Sequence, residues 1–484
     1  MKSGKFLKTS LVFALFFLCT AIFPYVQVYG EDDYEYTFDT GIYGNLATVT
    51  DCRGFGESTT IPDHCTVEND YGYDVEIPVK SLWHKLFSAC GYLKRATITA
   101  KEELEIFEDT FSDCASLEEL LAAPGSYYES EAGILYGRNK KELIRCPEGK
   151  TGYVRIPEGV AKVWGSAFSQ CANLTGIRLS DSITYIGIGA FYNCKNLESM
   201  IIPAGVSGIG KEAFSGCLSL QDIYFECSRE EAAEIWYIND IYAYPDIRLG
   251  DYENIEYGMR VSWGLSEDVR IHFGFDPDSY KYCVRPDGTA EITGYTGKDS
   301  VLLVPSQVDG LRVAAIRDRA FSGNVQIAGI ELPDGVKSIG NYAFYGCSGL
   351  KYICLPESLE ELGSKALNSC KNLQDIYFAG NMTNWKKLGF SAGSAITVYT
   401  NCRPSDYLFV VLEDGTAGIS GYAGTSAEPA LPGWLDGKPV TRILESAFDG
   451  CSRLRGISIP KSIVSIEKNA FWDCGRLASV RYSG

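Results

Sequence analysis

Between Cys194 and Cys217 the chain reads CKNLESMIIPAGVSGIGKEAFSGC, and the spacing of its apolar residues decides the architecture. Leu197, Met200 and Ile202 recur at the intervals of a short half-buried strand, since successive side chains of a strand point to opposite faces. Pro203 ends the strand because it has no amide proton to give a neighbour. Val206 and Ile209 then return an inward apolar pair, Gly210 is expected to permit a tight turn, and Ala213-Phe214 closes the unit. One such unit cannot bury both of its sides, so copies must stack.

The copies are present. The closing signature recurs as AFSQC from Ala167, AFYNC from Ala190, AFYGC from Ala343, AFDGC from Ala447 and AFWDC from Ala470. Weaker forms begin at Leu86, Thr110 and Ala366. Phe168, Phe191 and Phe214 are 23 residues apart, as are Phe321 and Phe344, and Phe448 and Phe471. A fixed period of this length marks a solenoid. The predicted fold is therefore a β-rich solenoid with these seven rings in its core.

Cys171, Cys194, Cys217, Cys347, Cys451 and Cys474 hold equivalent places in their units. Stacked coils set equivalent residues about 4.8 Å apart with parallel side chains. A disulfide instead needs facing Cβ atoms about 3.5–4.5 Å apart. Buried thiols are the expectation, and Asn324 stands where the cysteine of its coil would be. Outside the repeat, Cys52 and Cys65 are candidates for a bridge, and Cys354 is predicted to face solvent.

The unit resembles the BspA-like (Treponema pallidum-type) leucine-rich repeat, L-x-x-I-x-I-P-x-x-V-x-x-I-G-x-x-A-F-x-x-C, over most of residues 79–226, 301–378 and 438–482. The resemblance implies leucine-rich repeats of about 23 residues and a secreted or surface-exposed protein of a bacterium or mucosal parasite. Some members of that family bind host matrix proteins or other cells.

A larger repeat overlies the small one. DGTAEITGYTG from Asp287 matches DGTAGISGYAG from Asp414, an offset of 127 that also carries Pro305 to Pro432 and Asp309-Gly310 to Asp436-Gly437. Each D-G pair predicts a hairpin turn. LQDIYF occurs identically at Leu220–Phe225 and Leu373–Phe378, and reads as the last strand of a stack. Ser228–Glu231, with capping-box spacing, is expected to open an amphipathic run to Ile238; Asn381–Trp385 opens a similar short helix.

The resulting organisation is a signal peptide (1–30), an N-terminal β-hairpin cap (31–78), repeats (79–126), a β-hairpin insertion (127–157), and repeats with a capping helix (158–250). A linker (251–279) leads to a hairpin, repeats and cap (280–404), then to a hairpin and uncapped repeats (405–484). The missing final cap implies either a longer natural chain or an exposed coil able to self-associate.

Lys2, Lys5 and Lys8 precede the apolar run Leu11–Phe23, the pattern of a cleaved secretory signal. Its removal takes three lysines and no acid, lowering the net charge from −18 to −21. Such a charge disfavours nucleic acid and anionic membranes as partners. Three histidines, His64, His84 and His272, lie far apart in sequence, and His84 is expected to be partly buried. No catalytic, metal or cofactor motif is present, so no enzyme activity is predicted. The candidate ligand-binding residues are outward strand positions, Arg178, Tyr224, Tyr352 and Tyr377, because exposed aromatics carry interface energy. The expected role is a binding or adhesion scaffold for protein or glycan on a cell or matrix surface, secreted or held at the cell surface. The alternative is a structural or self-assembling surface protein.

Overall fold

The computed structural model describes residues 25–29, 34–39, 46–54, 56–68, 73–88, 90–238, 247–249, 255–266, 269–390, 396–435 and 437–482. Within each stack of coils, strands on two sides pair in parallel with their equivalents one coil on. On one side of the third stack, Val301–Leu303, Gly329–Glu331, Tyr352–Leu355, Asp375–Phe378 and Thr397–Thr400 form a five-stranded sheet. On the other side Leu311–Ile316, Ser338–Ile339 and Glu361–Leu362 do the same. The architecture is a β-solenoid of about 23-residue repeats with few, short helices.

The closing aromatic of each coil lies on the one before it. Ring centroids of Phe168 and Phe191 are 5.2 Å apart, those of Phe191 and Phe214 5.3 Å, and those of Phe321 and Phe344 5.2 Å. The backbone repeats the contact, with the Phe168 amide donating to the Ala190 carbonyl and that of Phe191 to Ala213. Phe448 is buried, whereas Phe471, Cys451 and Cys474 in the last coils are only partly covered.

Gly210 has a reason other than the tight turn expected of it. Its φ is not in the left-handed region, but a Cβ there would lie 2.3 Å from the Ile188 amide nitrogen. Adjacent coils approach too closely at this point for any side chain.

All sixteen described cysteines are free. The repeat cysteines serve the ladder by donating from Sγ to the carbonyl of the previous coil's phenylalanine: Cys194 to Phe168 at 3.1 Å, Cys217 to Phe191 at 3.1 Å, and Cys347 to Phe321 at 3.1 Å. Asn324 instead accepts from the amides of Gln326 and Ile327. Cys52 does not meet Cys65; its sulfur neighbour is Cys90, at 3.6 Å, because the first coil folds back onto the N-terminal sheet. Cys354 is buried, not solvent-facing, since a segment from the fourth stack covers it.

The Ser228 capping box forms, but its helix stops at Ala232 and the chain becomes strand at Trp236–Ile238 instead of continuing as an amphipathic run. The helix Met382–Lys387 is capped by Asn381. Between residues 251 and 279, a stretch expected to be a linker, the helix Ile255–Trp263 packs on the second stack with Met259 and Trp263 buried. The Trp263 carbonyl accepts the Phe214 amide, and Arg270–His272 adds a strand beside Asp222–Phe225. This segment completes the last coil. The expected signal peptide lies outside the described residues except for Tyr25–Tyr29, which pairs with Tyr34–Asp39.

Candidate functional site

The outward tyrosines do not stand on an open surface, as the sequence led us to expect. Tyr224 is 3% exposed, and Tyr352 and Tyr377 are 0% exposed. Each is covered by the D-G hairpin of the following stack. The Tyr224 hydroxyl accepts from the Ser306 amide at 3.3 Å, and the Tyr377 hydroxyl from the Gly433 amide at 2.7 Å. Ser306 and Gly433 are themselves 127 residues apart, so one joint is built twice. A strand position that faces away from its own core is open only if no other stack docks there. Local alternation cannot reveal a cover 82 residues away.

The two joints differ in chemistry. At the second, Tyr352 also accepts from the Gly437 amide at 3.2 Å, Trp434 stacks on Tyr352 at 10°, and the Lys351 ammonium lies 4.9 Å from the Trp434 ring. At the first, the residue equivalent to Lys351 is Glu198, 153 positions earlier, which accepts from Gln307 Nε2 and Arg312 Nε, each at 2.8 Å.

The hexapeptide aspartates diverge in the same way. Asp222 is buried, accepting from Arg270 Nη2 at 2.6 Å and His272 Nε2 at 2.9 Å. Burial alone would raise its carboxyl, but the His272 hydrogen bond and the Arg270 charge hold it at about 2. Asp375 faces Thr397 in place of Arg270, and burial pushes its carboxyl up despite the Tyr377 hydroxyl at 3.3 Å.

Two grooves flank the first joint. One, with a cavity volume of only about 50 Å3, runs past Asp222, Arg270, Asp334 and Arg403, and pairs Arg403 with Asp334 at 3.1 Å and Arg270 with Asp222. The other, a cleft with a cavity volume of about 170 Å3, lies over the outward face of the second stack. Its wall includes Arg178, which the sequence singled out, 3.2 Å from Glu226 and 3.5 Å from Asp181. Opposite are Gln307, Asp309 and Gly310 of the docked hairpin, with Tyr153 and Arg155 from the second stack's first strand. Sequence reasoning assigned these five no binding role; only the 127-residue repeat of the D-G turn pointed toward them. His84 is exposed, not partly buried, stacking on Phe107 at 4.1 Å and meeting Asp109 at 2.5 Å, because its edge of the first coil is uncovered. Among the described residues no three His, Cys, Asp or Glu side chains converge to hold a metal, and no helix is long and apolar enough to cross a membrane.

A family profile described as BspA type leucine-rich repeat region matches in six copies, over residues 146–239, 312–403 and 437–484. Such solenoids are typical of non-catalytic scaffolds. No curated protein matches the chain. Among solved structures, a leucine-rich cell surface protein of Faecalibacterium prausnitzii is 22% identical with 95% of each chain covered and a TM-score of 0.30. A Treponema pallidum leucine-rich repeat protein is 27% identical, covering 43% of this chain and 70% of its own, with a TM-score of 0.21. A Bacteroides ovatus leucine-rich repeat protein is 19% identical over 93% of this chain and 94% of its own, with a TM-score of 0.28.

Proposed function

Because this chain belongs to the BspA-type leucine-rich repeat family, we propose that it is an exported binding scaffold that presents a rigid face to protein or glycan at a cell or matrix surface. The observation that carries the reading is the pair of joints. Buried tyrosines lock consecutive stacks together, so groove walls contributed by different stacks keep a fixed spacing. Fixed walls favour recognition, since ordering a flexible surface on binding costs affinity. The lysine-led apolar run at the N-terminus supports export, and the acidic charge suits a protein that must not adhere to nucleic acid. The test is saturable binding of purified protein to immobilised matrix proteins, bacterial surfaces and glycans, with light scattering in parallel. Specific binding by a monomer supports the scaffold. Absence of any binding, with concentration-dependent oligomers, would favour a self-assembling structural role.

A further inference from the structure

The two joints are two fillings of one space. At the second, Tyr352 leans over Gly329, where an added Cβ would lie 2.3 Å from the ring, and Trp434 stacks on it. The equivalent positions at the first joint are Ser199 and Gln307, both smaller. Tyr153 replaces Val301 on the neighbouring strand and covers Gly176 and Gly310, but the space above Ser199 stays open. The larger groove is thus the room that an aromatic pair fills elsewhere in the same chain.

Its lining narrows what can enter. Ile201 and Phe275 are apolar, Tyr153 and Tyr282 are half-buried rings, and Ser199 adds a hydroxyl. Two arginines, Arg155 and Arg178, face two aspartates, Asp278 and Asp309, so the lining carries no net charge. The polar groups are held in place: Tyr282 donates to Asp309 at 2.6 Å, Arg155 lies 3.9 Å from Asp309, and Gln307 is fixed on Glu198. An anion meets the aspartates. A wholly apolar guest would strip water from these charges and return no hydrogen bonds. A neutral ring with one apolar face and several hydroxyls suits both walls.

We propose that this groove is a carbohydrate-binding site that takes a neutral pyranose residue of a surface glycan, its apolar face toward Tyr153 and its hydroxyls toward Asp309, Asp278 and Arg178. The proposal rests on the scaffold reading and names its partner class. The experiment transplants the second joint into the first: Tyr153→Val, Ser199→Tyr and Gln307→Trp together copy Val301, Tyr352 and Trp434. Arg178→Ala serves as a second variant should the triple change fail to fold, as judged by its melting temperature. Full-length protein is probed on an array of neutral and acidic oligosaccharides and by saturation-transfer NMR. The expected result is binding of neutral glycans that falls about tenfold or more in either folded variant. Three results overturn the proposal: no neutral glycan bound, binding unchanged in the folded variants, or preference for acidic glycans. Loss in the variants of matrix-protein binding, with no glycan bound, would overturn the sugar assignment while sparing the scaffold. Absence of every ligand class would overturn both.

Discussion

Tyr377 and Gly433 are 56 residues apart and meet at 2.7 Å, the phenolic oxygen accepting the backbone amide where both residues are buried. Tyr377→Phe keeps the ring and removes that acceptor. Leaving a buried amide without a partner costs about 1–3 kcal/mol. A lower urea midpoint for the fourth stack, followed by hydrogen exchange of the Phe448 amide, which donates to the Ala470 carbonyl, is the expected outcome. An unchanged midpoint would mean that water replaces the hydroxyl and the joint is looser than described.

Trp434→Ala tests the aromatic filling of the same joint. It uncovers Tyr352 and removes the partner of the Lys351 ammonium. Truncating a buried tryptophan costs about 3–5 kcal/mol, with the lower end expected here because Trp434 is only partly buried. Limited proteolysis between the third and fourth stacks should accelerate, while the Phe321–Phe344 coils stay protected.

The repeat was legible because it is local: one coil shows its inward residues at fixed spacing, and Phe191 or Ile202 needs no distant partner to be identified as core. Joints are another matter. Tyr377 satisfies the strand pattern equally well whether water or Gly433 lies above it, so its burial is written in residues of another stack. The same limit hid Asp222, whose hexapeptide is identical to that of Asp375 but whose charge partners, Arg270 and His272, come from a segment without repeat character. The D-G turns were visible as turns, and what they dock against was not.

Asp222 gives the protein a defined acid response. Its folded value of about 2 lies below the ordinary 3.8, so the folded state binds fewer protons there than the unfolded state. The contribution is complete above the unfolded value and is lost as pH falls through about 2. A shift of this size is worth about 2 kcal/mol. Asp222→Asn should lower the urea midpoint near neutrality and flatten its decline between about pH 4 and pH 2, relative to the parent. Parallel decline in both proteins would show that other carboxylates control acid unfolding.

The thiols should separate by burial. Burial pushes Cys347 up to about 11 and Cys370 up to about 12, so both stay protonated and covered at mildly alkaline pH. Cys283, Cys451 and Cys474 are partly exposed. Brief labelling of native protein with a thiol reagent, read by peptide mass spectrometry, should mark these three first. Unfolding before labelling should mark all sixteen described cysteines without reductant. A requirement for reductant would reveal disulfides that the stacked geometry argues against.

Gly210 separates close approach from turn-making as the reason for the repeat glycine. An alanine Cβ there would lie 2.3 Å from the Ile188 amide nitrogen and 2.5 Å from the Gly187 carbonyl carbon, both backbone atoms that cannot rotate away. At Gly205, in the same coil, the nearest atoms are carbonyl oxygens at 3.4 Å, so an alanine fits. Forcing extra bulk into such packing costs about 1–3 kcal/mol, and here the coils themselves must separate. Gly210→Ala should therefore lower the melting temperature and weaken protection of the Phe191 and Phe214 amides in hydrogen exchange, while Gly205→Ala changes neither. If both substitutions are silent, the coils are farther apart than the stacked phenylalanines imply, and the ladder, not the backbone contact, sets the repeat spacing.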